Sequence, residues 1–184
     1  MSTSLVLTVV GPDRPGIVKM LSDRISDHGG NWLQSRMANL AGQFAGIVLL
    51  QLPADRSGAL IQALRQLEEN GLRIIALDAG QPASSRPERR LRLELVGHDR
   101  PGIVREISHE LASRGVSIEE LATDCVSGSM CGESQMRATA QLRVPAHVAT
   151  ADLRSALEAL ANDLMVDVTL DERGLSPAGE PGPR

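Results

Sequence analysis

Gly11-Pro12-Asp13-Arg14-Pro15-Gly16-Ile17-Val18 decides the reading of this chain, because it occurs twice. It returns as Gly97-His98-Asp99-Arg100-Pro101-Gly102-Ile103-Val104, a shift of 86 residues (11 to 97), and only Pro12 against His98 differs. The match runs beyond the octet. At the same shift Leu5, Leu7 and Val9 fall on Leu91, Leu93 and Leu95, Ser22 on Ser108, and Gly29 on Gly115. One repeat at nearly half of 184 residues means two copies of a folding unit. A solenoid would need more and shorter repeats.

Upstream of the second octet, Leu91, Leu93 and Leu95 alternate with Arg92 and Glu94, the period of a half-buried strand. Leu5 to Val10 holds the same place in the first copy. Its opposite face, Val6, Thr8 and Val10, is more apolar and is expected to be covered by the other half or by another subunit. Downstream, Ile17, Leu21 and Ile25, and likewise Ile103, Ile107 and Leu111, mark one face of a helix of about 14 residues. Pro15 and Pro101 fit just inside its start, and Gly29 and Gly115 just past its end.

Two β stretches follow in each copy, 31–40 with 44–52 and 117–126 with 135–144. Ala41-Gly42 joins the first pair, and the longer 127–134 joins the second, where a loop of that length is a place for function. A second helix comes next, with Leu60, Leu64 and Leu67 on one face in the first copy and Leu153, Leu157 and Leu160 in the second. Short strands at 72–77 and 164–170 close the copies. The order β-α-β-β-α-β, twice, is α+β: two ferredoxin-like units in tandem, with antiparallel sheets and helices on one face. The expected units are 1–78 and 91–171, with a linker at 79–90 and a flexible Pro/Gly-rich tail at 172–184.

Composition narrows the function. Hydrophobic residues at 42% and charged residues at 23% are ordinary for a globular protein, and a net charge of −4 argues against a polyanion-binding surface. The first residues lack the basic and apolar regions of a signal peptide, and no apolar run reaches the roughly 20 residues that span a bilayer. A cytoplasmic protein with no membrane contact is expected. Units of roughly 80 residues make small cores, so the halves are expected to pack on each other or in a homodimer. One Trp, one Phe and no Tyr leave nothing for bases to stack on, and no helix-turn-helix, zinc finger or basic region stands out, so no direct nucleic-acid contact is expected. Cys125, Cys131 and His28, His98, His109 and His147 lack ligand spacing, so neither metal nor cofactor is expected. No nucleophile or acid–base pair points to catalysis.

The octet is the candidate binding site. It ends a strand and opens a helix, whose first N–H groups and dipole suit a carboxylate. Gly16 and Gly102 let a ligand approach the backbone, and Asp13 and Asp99 can accept from an ammonium group. The ligand-binding set is Gly11, Asp13, Arg14, Gly16 and Ile17, with Gly97, Asp99, Arg100, Gly102 and Ile103. The aspartates also stand where an N-cap would accept the Gly16 or Gly102 N–H. Arg14 and Arg100 are either solvated or paired with acids across an interface. Cys125 and Cys131 are two unpaired thiols or a redox pair. Met130 reads as packing, and Trp32 as a core or interface residue.

Paired β-α-β-β-α-β units, each with Gly-x-Asp-Arg-Pro-Gly-Ile-Val between first strand and first helix, resemble the ACT domain family. With nothing else attached, and with Ser129-Met130-Cys131-Gly132-Glu133 ahead of a strand ending Val144-Pro145, the chain is similar to the stand-alone double-ACT regulators of glycine cleavage genes. That resemblance implies a non-enzymatic regulator that binds an amino acid such as glycine and represses through contact with a transcriptional activator protein. Direct modulation of a metabolic enzyme is the alternative. It also adds Asn31 to the ligand set. Ser117 stands there in the second copy, so one half alone is expected to keep the full site, and Cys131 stands where serine is more usual.

Overall fold

Alternating leucines lay down the central strand of each half. In the computed structural model, which describes residues 1–80, 88–127 and 134–172, the chain divides into units Met1–Ala83 and Ser84–Arg184. The first runs β1 (Ser2–Pro12), α1 (Ile17–Asp27), β2 (Asn31–Leu40), β3 (Gln43–Pro53), α2 (Ser57–Arg65) and β4 (Arg73–Asp78). The second runs β5 (Glu88–His98), α3 (Ile103–Ser113), β6 (Ser117–Ser127), β7 (Ser134–Pro145), α4 (Thr150–Leu164) and β8 (Val166–Asp171). The sheets are ordered β2-β3-β1-β4 and β6-β7-β5-β8, antiparallel throughout.

Period two puts Leu5, Leu7 and Val9 on one side of β1, where they meet Ile17, Leu21 and Ile25 of α1 and Leu60 and Leu64 of α2. Leu91, Leu93 and Leu95 meet Ile103, Ile107 and Leu111 of α3 and Leu153 and Leu157 of α4 in the same way. Burial of each such side chain contributes about 1.5–3 kcal/mol, which is what pins both helices to one face. A register shift follows the first residues of β2, between Trp32 and Gln34, and recurs between Ile118 and Glu120 of β6. Trp32, just ahead of that irregularity, packs partly buried on the first core.

The helix starts differ from the sequence expectation. α1 and α3 begin at Ile17 and Ile103 and hold 11 residues, so Pro15 and Pro101 precede the helix rather than open it. The capping positions are Gly16 (φ 93°) and Gly102 (φ 101°), a left-handed turn that ends the run of helical dihedrals on its N-terminal side. Asp13 and Asp99 are therefore not N-caps. β5 also starts three residues inside the stretch expected as linker, because Glu88, Arg89 and Arg90 pair with Pro145, Val144 and Arg143. At the other end Leu164 closes α4 and β8 begins at Val166.

Gly11 and Gly97 sit at the crowded end of their central strands. A Cβ on Gly11 would lie 2.6 Å from the Gly71 carbonyl oxygen, and one on Gly97 2.6 Å from Val166 Cγ1. Replacing either with alanine is expected to destabilise its unit by about 1–3 kcal/mol in urea unfolding. The turn after α4 offers the opposite case. Met165 takes φ 54° while 71% exposed, where the first unit places Gly71 at φ 79°. Met165→Gly is expected to raise the stability of the second unit by about 1 kcal/mol in the same measurement.

Candidate functional site

Each octet becomes a short loop tied to the neighbouring hairpin. The Asp13 N–H donates to the Gly42 carbonyl at 2.9 Å, and the Asp99 N–H to the Ser134 carbonyl at 2.8 Å. The side chains are held as well. Asn39 Nδ2 donates to Asp13 Oδ2 from the end of β2. At the matching position of β6, the Cys125 thiol stands close enough to the Asp99 carboxylate for its charge to act on the thiol. The two anchors correspond in register. Asn39 and Gly11 both pair with Phe44, and Cys125 and Gly97 both pair with Met136. Neither anchor was in the set expected from sequence, although the 86-residue shift that aligns the octets also places Asn39 on Cys125.

Beyond the aspartate, the turn at Gly16 brings its carbonyl to the Met20 N–H at 2.9 Å, and Gly102 does the same for Glu106. No side chain caps either helix. The N–H groups of the first turn, at 17–19 and 103–105, therefore point outward without an intrahelical acceptor. Nothing lies within 4 Å of the space a side chain on Gly16 or Gly102 would take. An open, positive helix end beside a fixed carboxylate presents both signs of charge over a short span.

The remaining expected residues separate. Ile17 and Ile103 are buried in the two cores, so they can offer a ligand only their N–H groups. Gly11 and Gly97 are explained by the close neighbours described above. Asn31 does not join the loop. It pairs with Gln51, which pairs with Ser4, so Asn31 stands eight residues down the sheet from Pro12. At about 3.3 Å per residue that is roughly 26 Å from Asp13. A strand-start residue and a strand-end loop share no site within one unit.

The arginines differ between copies. Arg100 Nη2 donates to the Asp163 carbonyl at 3.1 Å, in the last turn of α4. In the first unit α2 ends at Arg65 and gives way to a tighter turn, Gln66–Asn70. Among the described residues no hydrogen bond or ion pair holds Arg14. Cys125 is exposed and unpaired. Cys131, Met130 and the rest of the 129–133 segment lie outside the described residues, and the expectations for Cys131 and Met130 lie there with them. Among the described residues no group of three His, Cys, Asp or Glu side chains could hold a metal, and no helix is long and apolar enough to cross a membrane.

Residues 3–75 match the family model of the ACT domain. A solved structure of an unknown protein from Galdieria sulphuraria is 31% identical, with a TM-score of 0.83 over 93% of this chain and 98% of that one. The first half of the chain is thus an ACT domain, and the chain carries its fold twice. It is also similar to the glycine cleavage system transcriptional repressor of Escherichia coli K12, 26% identical over 87% of this chain and 85% of the relative. A solved structure proposed to be a repressor of that kind shares the fold at 20% identity, with a TM-score of 0.67 over 93% of this chain and 97% of that one.

The thiol anchor has a measurable chemistry. Loss of water around the sulfur, then the charge of Asp99 and its hydrogen bond, then Asp124, push the Cys125 thiol above its ordinary value. The thiolate is the reactive form, so alkylation near pH 8.5 is expected to be slower than for a free cysteine. Removing the largest neighbouring charge should undo part of that, while the loss of water around the sulfur remains. In a Cys131→Ser background, Asp99→Asn is expected to speed iodoacetamide labelling of Cys125 several-fold at pH 8.5, followed by mass spectrometry.

Proposed function

We propose that this protein is a non-enzymatic, cytoplasmic regulator that responds to an amino acid and controls glycine cleavage or related amino-acid metabolism. The observation that carries the reading is the loop found in both units, an uncapped helix start beside an anchored aspartate. A zwitterion fits it by charge. Its carboxylate takes the N–H groups of the first helical turn, and its ammonium group takes acceptor sites that Asn39 or Cys125 leaves on the aspartate. Gly16 and Gly102 leave the backbone open to a ligand as small as glycine.

The first unit is the better-equipped half. Its Arg14 guanidinium is available to a carboxylate, whereas Arg100 is engaged with the end of α4. Likeness to a glycine cleavage system transcriptional repressor over most of both chains supports a regulatory role; in this reading it is exerted through contact with a transcriptional activator protein. The ligand would act by favouring one arrangement of the units over another, which alters the surface the activator meets. A homodimer is the expected form.

Thermal unfolding against a panel of amino acids, glycine and serine included, tests the sensor. A ligand at about 100 times its dissociation constant should stabilise the native state by roughly 2.7 kcal/mol. One or two amino acids are expected to raise the midpoint. Asp13→Ala is expected to remove most of the shift with the fold intact, and Asp99→Ala less of it. No shift with any amino acid would overturn the reading.

A further inference from the structure

One hairpin end holds Asp13 twice, and it carries a further polar atom. Ala41 and Gly42 join β2 to β3 with φ of 50° and 76°, the left-handed pair of a tight two-residue turn. The Gly42 carbonyl takes the Asp13 N–H, and Asn39, just ahead of the turn, gives Nδ2–H to Asp13 Oδ2. Met37 packs on the first core, and period two puts Asn39 on the same side of β2, the side of α1. Asn39 therefore meets Asp13 on the side where the uncapped first turn of α1 begins. Its donor is spent on the carboxylate, but an amide also has an oxygen that accepts. Among the described residues no hydrogen bond reaches Asn39 Oδ1 or Asp13 Oδ1.

We propose that Asn39 Oδ1 and Asp13 Oδ1 together read the ligand's ammonium group, and so select an amino acid whose nitrogen carries at least two protons. An amide that gives its N–H to a carboxylate keeps its own oxygen, on the same carbon, close to that carboxylate. Two acceptors side by side are unfavourable until a donor stands between them, and an ammonium group with three N–H serves both. A nitrogen with a single N–H serves one oxygen and sets a methyl group against the other, which keeps water from it. The second unit lacks this device. Cys125 holds the place of Asn39, and sulfur is a weak acceptor, so Asp99 alone is left to meet the nitrogen. The first loop is the strict reader of the nitrogen, and the second the permissive one.

This inference rests on the amino-acid reading above and adds the class of nitrogen that the site accepts. Calorimetric titration of the full chain with glycine and with N,N-dimethylglycine tests it, in an Asp99→Ala background that silences the second loop. Alanine and N,N-dimethylalanine serve as a second pair. The unmethylated member of a pair is expected to bind at least about tenfold more tightly than the dimethyl one. Asn39→Cys, the second unit's own residue, is expected to weaken glycine about tenfold and N,N-dimethylglycine less than about threefold, so that the ratio collapses. Asn39→Ser differs from that variant by one atom, can both donate to Asp13 and accept, and is expected to keep part of the ratio. Asn39 is exposed, so neither change disturbs the core. A purely structural role would weaken both members of a pair alike. An Asn39→Cys chain that keeps the ratio overturns the inference, as does equal binding of both members by the parent chain. Glycine or alanine binding retained in those cases leaves the sensor reading standing. Binding of neither overturns both.

Discussion

Each unit depends on the register of its central strand. β1 and β5 are the strands bonded on both sides, and their odd-numbered leucines and valine supply the floor on which both helices rest. A slip of one residue would turn that floor to solvent and send Thr8 or Glu94 into the core. The same register sets the height at which the strand stops, and hence where the loop begins. Gly11 and Gly97 permit the outer strand to enter close beside that stop. The loop aspartate then lands opposite the hairpin turn, where its N–H finds a carbonyl. Core packing and loop placement are therefore one constraint, not two.

Duplication has let the copies diverge while that constraint held. The backbone bonds of the loop are the same in both, but the side chains around it have been reassigned. Asn39 bonds the aspartate of one copy, and Cys125 stands beside the aspartate of the other. The Arg100 guanidinium bonds the end of α4, while among the described residues no hydrogen bond or ion pair holds Arg14. The sheet faces divided further, with Ile47, Ile75 and Leu77 exposed on the first where Thr139, Thr169 and Asp171 stand on the second. A chain with two identical halves would offer two equal sites and two equal surfaces. Here the side chains of the two loops and the open faces of the two sheets have both departed from that equality.

Much of the architecture was legible because period two and period 3.6 occur twice in the same order, so each copy checks the other. The helix starts were not legible. Proline before glycine reads as a first helical turn, and nothing in Pro15-Gly16 tells that the glycine adopts a left-handed turn and postpones the helix by two residues. Asn31 stands apart from the loop of its own unit for a different reason. Closeness to the octet across the sheet depends on strand direction, and β2 begins at the end opposite the loop. Asn39, eight residues on, is where the chain returns to it. The exposed Ile47, Ile75 and Leu77 escaped notice since an apolar residue in a strand reads as core on either face.

Trp32 gives the molecule a built-in asymmetry for spectroscopy. It is the one tryptophan, there is no tyrosine, and it packs on the first core just ahead of the irregularity in β2. Intrinsic fluorescence therefore watches the first domain alone, while circular dichroism sums both. The order in which the two halves melt can be read from an unlabelled sample by comparing the two signals.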